Sequence, residues 1–304
     1  MYAGPPKHVA GLPELGRALV MGVLNVTPDS FSDGGRWFDT ERAVEHGRRL
    51  VAQGADLVDV GGESTRPGAV RPSPQDEMDR VLPVVTALAR EGVGVSIDTM
   101  RAEVAAAAVD AGAVLVNDVS GGRADPAMFE TVARLRVPYV LMHWRAHSAT
   151  MQQETDYGDV VADVVAELSE QRELAVAAGI APERIALDPG IGFSKTADQN
   201  WEVLAATQRF HELGHPLLVA TSRKRFLGVL LATEEGTLRI PLERDDATTA
   251  TTALAAAAGA WCVRAHAVGP TADAVRVAAR WARAERSEVV AADPAGADDG
   301  RRGS

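Results

Sequence analysis

Eight short apolar runs punctuate this chain, and each leads into a polar or charged residue. They span residues 19–24, 57–60, 93–97, 114–116, 139–142, 185–187, 217–220 and 262–263. Several are near-continuous Val, Ile and Leu, the composition of parallel strands covered on both faces. Between them lie polar loops and amphipathic stretches, such as 102–111, 160–178 and 247–258. Eight strand–loop–helix alternations over about 250 residues have the dimensions of a (β/α)8 TIM barrel with a parallel eight-stranded sheet. A doubly wound open sheet is the alternative, because a strand count does not show closure.

The residues that follow the runs are the second constraint. The first run ends at Asn25, and the second leads into Gly61-Gly62-Glu63-Ser64-Thr65-Arg66-Pro67-Gly68. The next four end at Asp98-Thr99, Asn117-Asp118, His143 and Asp188-Pro189-Gly190. The seventh runs into Thr221-Ser222-Arg223-Lys224, and the eighth gives Arg264 and His266. In a barrel these ends converge on one face, where catalytic groups sit. A single Asp or Asn there reads as a helix cap. Eight polar endings in succession are much harder to attribute to caps.

Asp98, Asn117 and Asp188 supply carboxylate and carboxamide groups suited to a flat heterocycle with amide and amine edges. Thr99 can cap the following helix, which leaves Asp98 for the site. Asn117 and Asp118 are adjacent, so one can be structural, and Asn117 is the better site candidate. Lys224, Arg264 and His266 place cations on the last two strand ends, a quarter of the barrel that often binds phosphate. The run Thr221-Ser222-Arg223-Lys224, opening a helix, also presents backbone N–H groups to an anion. Of Arg223, Lys224 and Arg225, one reads as a solvated surface charge. His266 alone reads equally as a core or capping histidine, but Arg264 lies two residues earlier on the same strand face.

The segment after the first run, from Thr27 to Gly35, carries Phe31, two carboxylates including Asp33, and the pair Gly34-Gly35. It reads as a mobile lid, or more plainly as a Pro/Gly turn. Asn25 and carboxylates near a phosphate suit Mg2+, a hard ion that keeps waters and shares phosphate oxygens.

Composition excludes several classes. The chain has 304 residues and a formal net charge of −11, which argues against nucleic-acid or anionic-membrane binding. No apolar run approaches the roughly 20 residues of a membrane helix. The polar N-terminal residues lack the apolar core of a signal peptide. Cys262 is the single cysteine, so no disulfide within the chain and no thiolate zinc site can form. A cytoplasmic location is the expectation. The expected organisation is an extension over 1–17, a catalytic barrel over 18–286 and a disordered tail over 287–304.

At these residues the chain resembles the dihydropteroate synthases, the folate-pathway enzymes inhibited by sulfonamides. The likeness covers about residues 19–283, in order. Its most specific parts are the Asn25 segment, Asp59-Val60-Gly61-Gly62-Glu63-Ser64-Thr65-Arg66-Pro67-Gly68, Ser96-Ile97-Asp98-Thr99 and Val116-Asn117-Asp118-Val119-Ser120-Gly121-Gly122. Leu141-Met142-His143, Leu187-Asp188-Pro189-Gly190-Ile191-Gly192-Phe193, Ser222-Arg223-Lys224 and Arg264-Ala265-His266 complete it. Met142-His143-Trp144-Arg145 is most similar to actinobacterial members. The resemblance implies a barrel enzyme, usually a homodimer. Such an enzyme condenses 6-hydroxymethyl-7,8-dihydropterin pyrophosphate with p-aminobenzoate by a dissociative, Mg2+-assisted route.

By the same resemblance, Asp98, Asn117, Met142, Asp188 and Lys224 hold the pterin. Asn25, Thr65, Arg264 and His266 hold the pyrophosphate, with Asn25 as the metal ligand. Arg66, Pro67, Phe193 and Ser222 form the p-aminobenzoate site, and Phe31, Asp33, Arg66 and Lys224 carry catalysis. Ala220 stands where many members have glycine, and a methyl pointing inward there would weaken pterin binding. A pterin-binding methyltransferase domain and a non-catalytic pterin-binding paralogue are the alternatives.

Overall fold

A computed structural model of the chain describes residues 7–27, 35–63, 71–147 and 150–292. The strands are β1 (Leu19–Asn25), β2 (Leu57–Gly61), β3 (Val95–Asp98), β4 (Leu115–Asp118), β5 (Tyr139–Met142), β6 (Ile185–Asp188), β7 (Leu218–Val219) and β8 (Cys262–Ala265). All pair in parallel, in the order β6-β5-β4-β3-β2-β1-β8-β7. A parallel bridge from Leu187 to Leu217 joins the two ends of that order and closes the barrel. An open doubly wound sheet is excluded by that closure and by the β1–β8 pairing.

The helices are α1 (Gly35–Ala52), α2 (Pro74–Arg90), α3 (Ala102–Asp110), α4 (Met128–Leu135), α5 (Val160–Ala177), α6 (Ala197–Ala205), α7 (Thr207–His211), α8 (Arg225–Leu230), α9 (Asp245–Ala257) and α10 (Val268–Ala292). Their starts follow from local chemistry. Ser73 caps α2 ahead of Pro74, Asp159 caps α5, and Thr196 with Gln199 forms a capping box on α6. At α3 the capping expected of Thr99 is divided: Thr99 accepts the Arg101 amide, while Asp125 takes the N–H of Ala102, the first helical residue.

Two expectations about boundaries change. Gly35 begins α1 instead of belonging to the preceding loop. The tail expected to be disordered from 287 is instead helical as far as Ala292.

Side chains alternate across each strand, so residues two apart share a face. One set, including Val20, Val58, Val60, Ile97 and Leu141, packs outward in the core beneath the helices. The other, including Leu19, Met21, Leu57, Leu115, Val140, Ala186, Leu218 and Cys262, fills the barrel itself. Val9 packs into that interior cluster, and Ala10 donates to the Glu183 carbonyl. Within the expected extension, Val9 and Ala10 thus pack against the end of the barrel. The Ala220 methyl points inward, where it is buried in the same apolar cluster.

Candidate active site

Parallel register sets the first row of the site. Asn25 lies beside Gly61, Gly61 beside Asp98, and Asp98 beside Asn117. Asn25, Gly61 and Asn117 are in phase with the inward apolar residues Met21, Leu57 and Leu115 of their strands, and Asp98 is out of phase with the outward Val95 and Ile97. A Cβ on Gly61 would lie 3.4 Å from that of Asp98, so glycine opens room for the carboxylate. On the far side, Met142 lies beside Asp188. Asp98, Asn117, Met142 and Asp188 are all buried.

A charge network lies beneath this row. Arg264 donates from Nε to Asp59 at 2.6 Å and from Nη2 to Asp98 at 2.7 Å. Asn117 Nδ2 donates to the same Asp59 oxygen at 3.0 Å. Burial of a carboxylate disfavours its charge. Asp98 is accordingly raised to about 7 by burial, against the pull of Arg264. Asp188 is raised for the same reason, with Lys224 opposing. Burial lowers the Arg264 guanidinium, but Asp59 and Asp98 more than compensate and hold it charged. Arg264 thus links the pterin candidate Asp98 to the cationic end of the barrel.

Asp118 faces the other way. It accepts hydrogen bonds from the Ser120 amide and hydroxyl, the Gly122 amide and the Tyr139 hydroxyl. These tie the turn after β4 and leave Asn117 as the member of the pair that faces the interior.

Met142 packs with Met100 and Val119, and Phe193 and Trp144 lean on this cluster. It forms an apolar wall beside the polar row, the combination expected of a pocket for a flat polar ring. Lys224 stands 5.0 Å above the Phe193 ring, donates to the Ile191 carbonyl, and is lowered to about 8 by burial against the attraction of Asp188. The ring of one candidate group and the cation of another therefore touch, a cation–π arrangement.

Ser222 Oγ accepts the His266 amide at 3.0 Å and lies 2.8 Å from His266 Nδ1. With its hydroxyl hydrogen turned to Nδ1, Nε2 carries the imidazole proton. The expected anion-binding turn is built differently. The Arg223 amide is taken by Thr248 Oγ1 and the Lys224 amide by the Thr221 carbonyl, and α8 starts only at Arg225. Arg223, in the left-handed region at φ 58°, pairs with Asp245 at 2.7 Å. Arg223 is therefore a brace between the β7 turn and α9. The candidates Phe31, Asp33, Thr65, Arg66 and Pro67 lie outside the described residues.

Among the described residues, no three His, Cys, Asp or Glu side chains are grouped to hold a metal. Asn25 offers one hard oxygen at a strand end. That donor set fits Mg2+ carried largely by substrate phosphates and water, and does not fit an all-protein cage.

Two buried groups escaped the sequence reading. Asp59 was legible: a carboxylate in the run Leu57-Val58-Asp59-Val60, two residues before Gly61, shares its inward face. Lys195 was not, because its side-chain partner His143 lies in the loop after β5, 52 positions away.

A closed (β/α)8 barrel with an inward row of acceptors beside an apolar wall defines a barrel enzyme that holds a flat polar ring. A model of the family described as "Pterin binding enzyme" matches residues 21–266, and the chain belongs to that family, within it to the dihydropteroate synthases. A dihydropteroate synthase of Mycobacterium leprae is 54% identical over 266 residues, covering 87% of this chain and 94% of that protein. The structure of a Xanthomonas albilineans dihydropteroate synthase with 4-aminobenzoic acid matches with a TM-score of 0.80 and 44% identity, covering 88% of this chain and 93% of that one. The same organism's enzyme in complex with 7,8-dihydropteroate matches with a TM-score of 0.79 and 41% identity, covering 92% of this chain and 99% of that one. Among the described residues no helix is long and apolar enough to cross a membrane.

Proposed function

We propose that this dihydropteroate synthase joins the methylene carbon of 6-hydroxymethyl-7,8-dihydropterin pyrophosphate to the amino nitrogen of p-aminobenzoate. The products are 7,8-dihydropteroate and pyrophosphate, in folate biosynthesis. The observation that carries the residue assignment is the buried inward row of Asp98, Asn117 and Asp188 beside Met142. Asp98 and Asp188 accept from the amino-pyrimidine edge, Asn117 supplies a complementary amide, and Met142 packs on the ring.

The reaction is dissociative. The C–O bond to pyrophosphate breaks first, the pterin ring delocalises the methylene cation, and the aniline nitrogen attacks and sheds its proton. Such a route needs positioning and charge stabilisation more than a nucleophile. The Ser222–His266 pair fits it: the Ser222 hydroxyl is held by the His266 amide and lies against Nδ1, which fixes the imidazole at the end of β8. His266 and Arg264 receive the leaving pyrophosphate, and Lys224, seated over the Phe193 ring, serves both the pterin and the p-aminobenzoate subsites. Asn25 would hold Mg2+, which when bound neutralises pyrophosphate charge. Thr65, Arg66, Pro67, Phe31 and Asp33 complete the p-aminobenzoate and pyrophosphate subsites on the resemblance alone.

The enzyme acts as a homodimer on this reading. Leu254 on α9 and Val277 and Trp281 on α10 are all more than 60% exposed on two packed helices, a face suited to a second copy. The test of function is direct. Purified protein with both substrates and Mg2+ should form dihydropteroate and pyrophosphate in equal amounts. Formation of neither would contradict the reading.

A further inference from the structure

The loop from Asp188 to Thr196 joins the pterin candidate Asp188 to the p-aminobenzoate candidate Phe193, and its path is unusual. Gly190, Gly192 and Ser194 all lie in the left-handed region, at φ 68°, 83° and 48°. For Ser194 that conformation costs on the order of 1 kcal/mol or more and persists only where the surroundings impose it. The surroundings here converge on one buried side chain. Lys195 Nζ lies 3.1 Å from the Gly190 carbonyl, 3.2 Å from the Phe193 carbonyl and 3.0 Å from His143 Nδ1. The Gly190 carbonyl also accepts the Phe193 amide at 3.0 Å, so the Phe193 backbone is held on both sides.

The Glu167 carboxylate opposite Nε2 assigns the His143 proton to Nε2 and leaves Nδ1 an acceptor, and the ammonium form of Lys195 then supplies all three bonds. His143 then accepts at Nδ1 and donates from Nε2 to Glu167 at 2.9 Å, and Glu167 also takes Arg145. The chain of bonds runs from the loop to α5. Its other end is set by the Tyr157 hydroxyl, which donates to the Ser194 carbonyl at 2.9 Å.

We propose that Lys195 is a positioning residue for the amine substrate. Its ammonium gathers the carbonyls of Gly190 and Phe193 around itself, and so sets the Phe193 ring against the Met142 wall and under Lys224. Lys195 touches neither substrate. It acts through Phe193, and the inference rests on the assignment of Phe193 to the p-aminobenzoate subsite.

The test is a double-mutant cycle on the full-length enzyme with Lys195→Met and Phe193→Ala. Steady-state KM for p-aminobenzoate and the calorimetric Kd for the pterin pyrophosphate are measured for each. Lys195→Met should raise the KM for p-aminobenzoate about tenfold and leave the pterin Kd within about twofold. In the Phe193→Ala background the same change should add less than about twofold. Additive effects, or an equal loss for both substrates, would overturn the proposal and make Lys195 a purely structural residue. Lys195→Gln, which keeps an N–H donor without charge, should recover part of the KM. If neither variant folds by circular dichroism, the positioning role also falls. A wild-type enzyme that never uses p-aminobenzoate would instead contradict the functional assignment itself.

Discussion

Arg264 and Asp98 meet at 2.7 Å through a guanidinium nitrogen and a carboxylate oxygen, across the interior of the barrel. The contact places a cation from β8 in the layer that carries the pterin candidates. With Asp59 on the same guanidinium, two carboxylates depend on one positive charge.

Removing that charge should be expensive. Arg264→Met leaves Asp59, which is fully buried, and Asp98 without their counter-ion. Breaking a buried pair from one side costs about 3–5 kcal/mol. Urea unfolding of the variant should show a loss of that size, and Asp59→Asn in the same chain should restore part of it. An unchanged midpoint for Arg264→Met would show that the network contributes little.

Pterin affinity should depend on pH in a bell. Asp98 is held near 7 and must be ionised to accept from the pterin, so affinity rises as pH passes through about 7. Lys224 is held near 8 and must be protonated, so affinity falls above about 8. Asp98→Asn should remove the acid limb and Lys224→Met the alkaline limb, measured by calorimetry from pH 6 to 9. The stability sign is opposite to the binding sign for Asp98. A carboxyl raised on folding stabilises the native state below its unfolded value and loses that contribution as pH rises through about 7. A flat binding profile would count against both assignments.

Gly190 is irreplaceable on geometric grounds. It adopts φ 68°, and a Cβ there would run into the His143 carbonyl oxygen. Gly190→Ala should lower stability by about 1–3 kcal/mol, and should weaken pterin binding, because the Gly190 amide is bonded to Asp188 Oδ1 at 2.7 Å. Wild-type melting and affinity in that variant would contradict the loop's role.

The exposed face on α9 and α10 predicts self-association. Trp281→Glu together with Leu254→Asp should convert a dimer to a monomer in sedimentation velocity, with the far-ultraviolet spectrum retained. A wild-type chain that sediments as a monomer would remove this face from the account.

The barrel was legible because its signal is periodic. Each run is short, β-branched and followed by a helix, and the inward phase of Asn25, Asp98, Asn117 and Asp188 follows from strand alternation alone. The contacts among these groups were not legible. Arg264 and Asp59 stand 205 positions apart, and only barrel closure brings them together. The anion-binding turn at Ser222-Arg223-Lys224 failed as an expectation because Thr248, from a later helix, takes the Arg223 amide. Lys195 was invisible for a related reason: nothing in Phe193-Ser194-Lys195 announces that His143, 52 positions away, will face it.

The most direct measurement is calorimetric titration of dihydropterin pyrophosphate into wild-type protein and Asp98→Ala. The account predicts saturable binding to the wild type and a loss of at least about 100-fold in the variant, the range for a charge-assisted hydrogen bond removed with its partners left buried. Equal affinity in the two proteins would contradict the claim that the inward row headed by Asp98 is the pterin site.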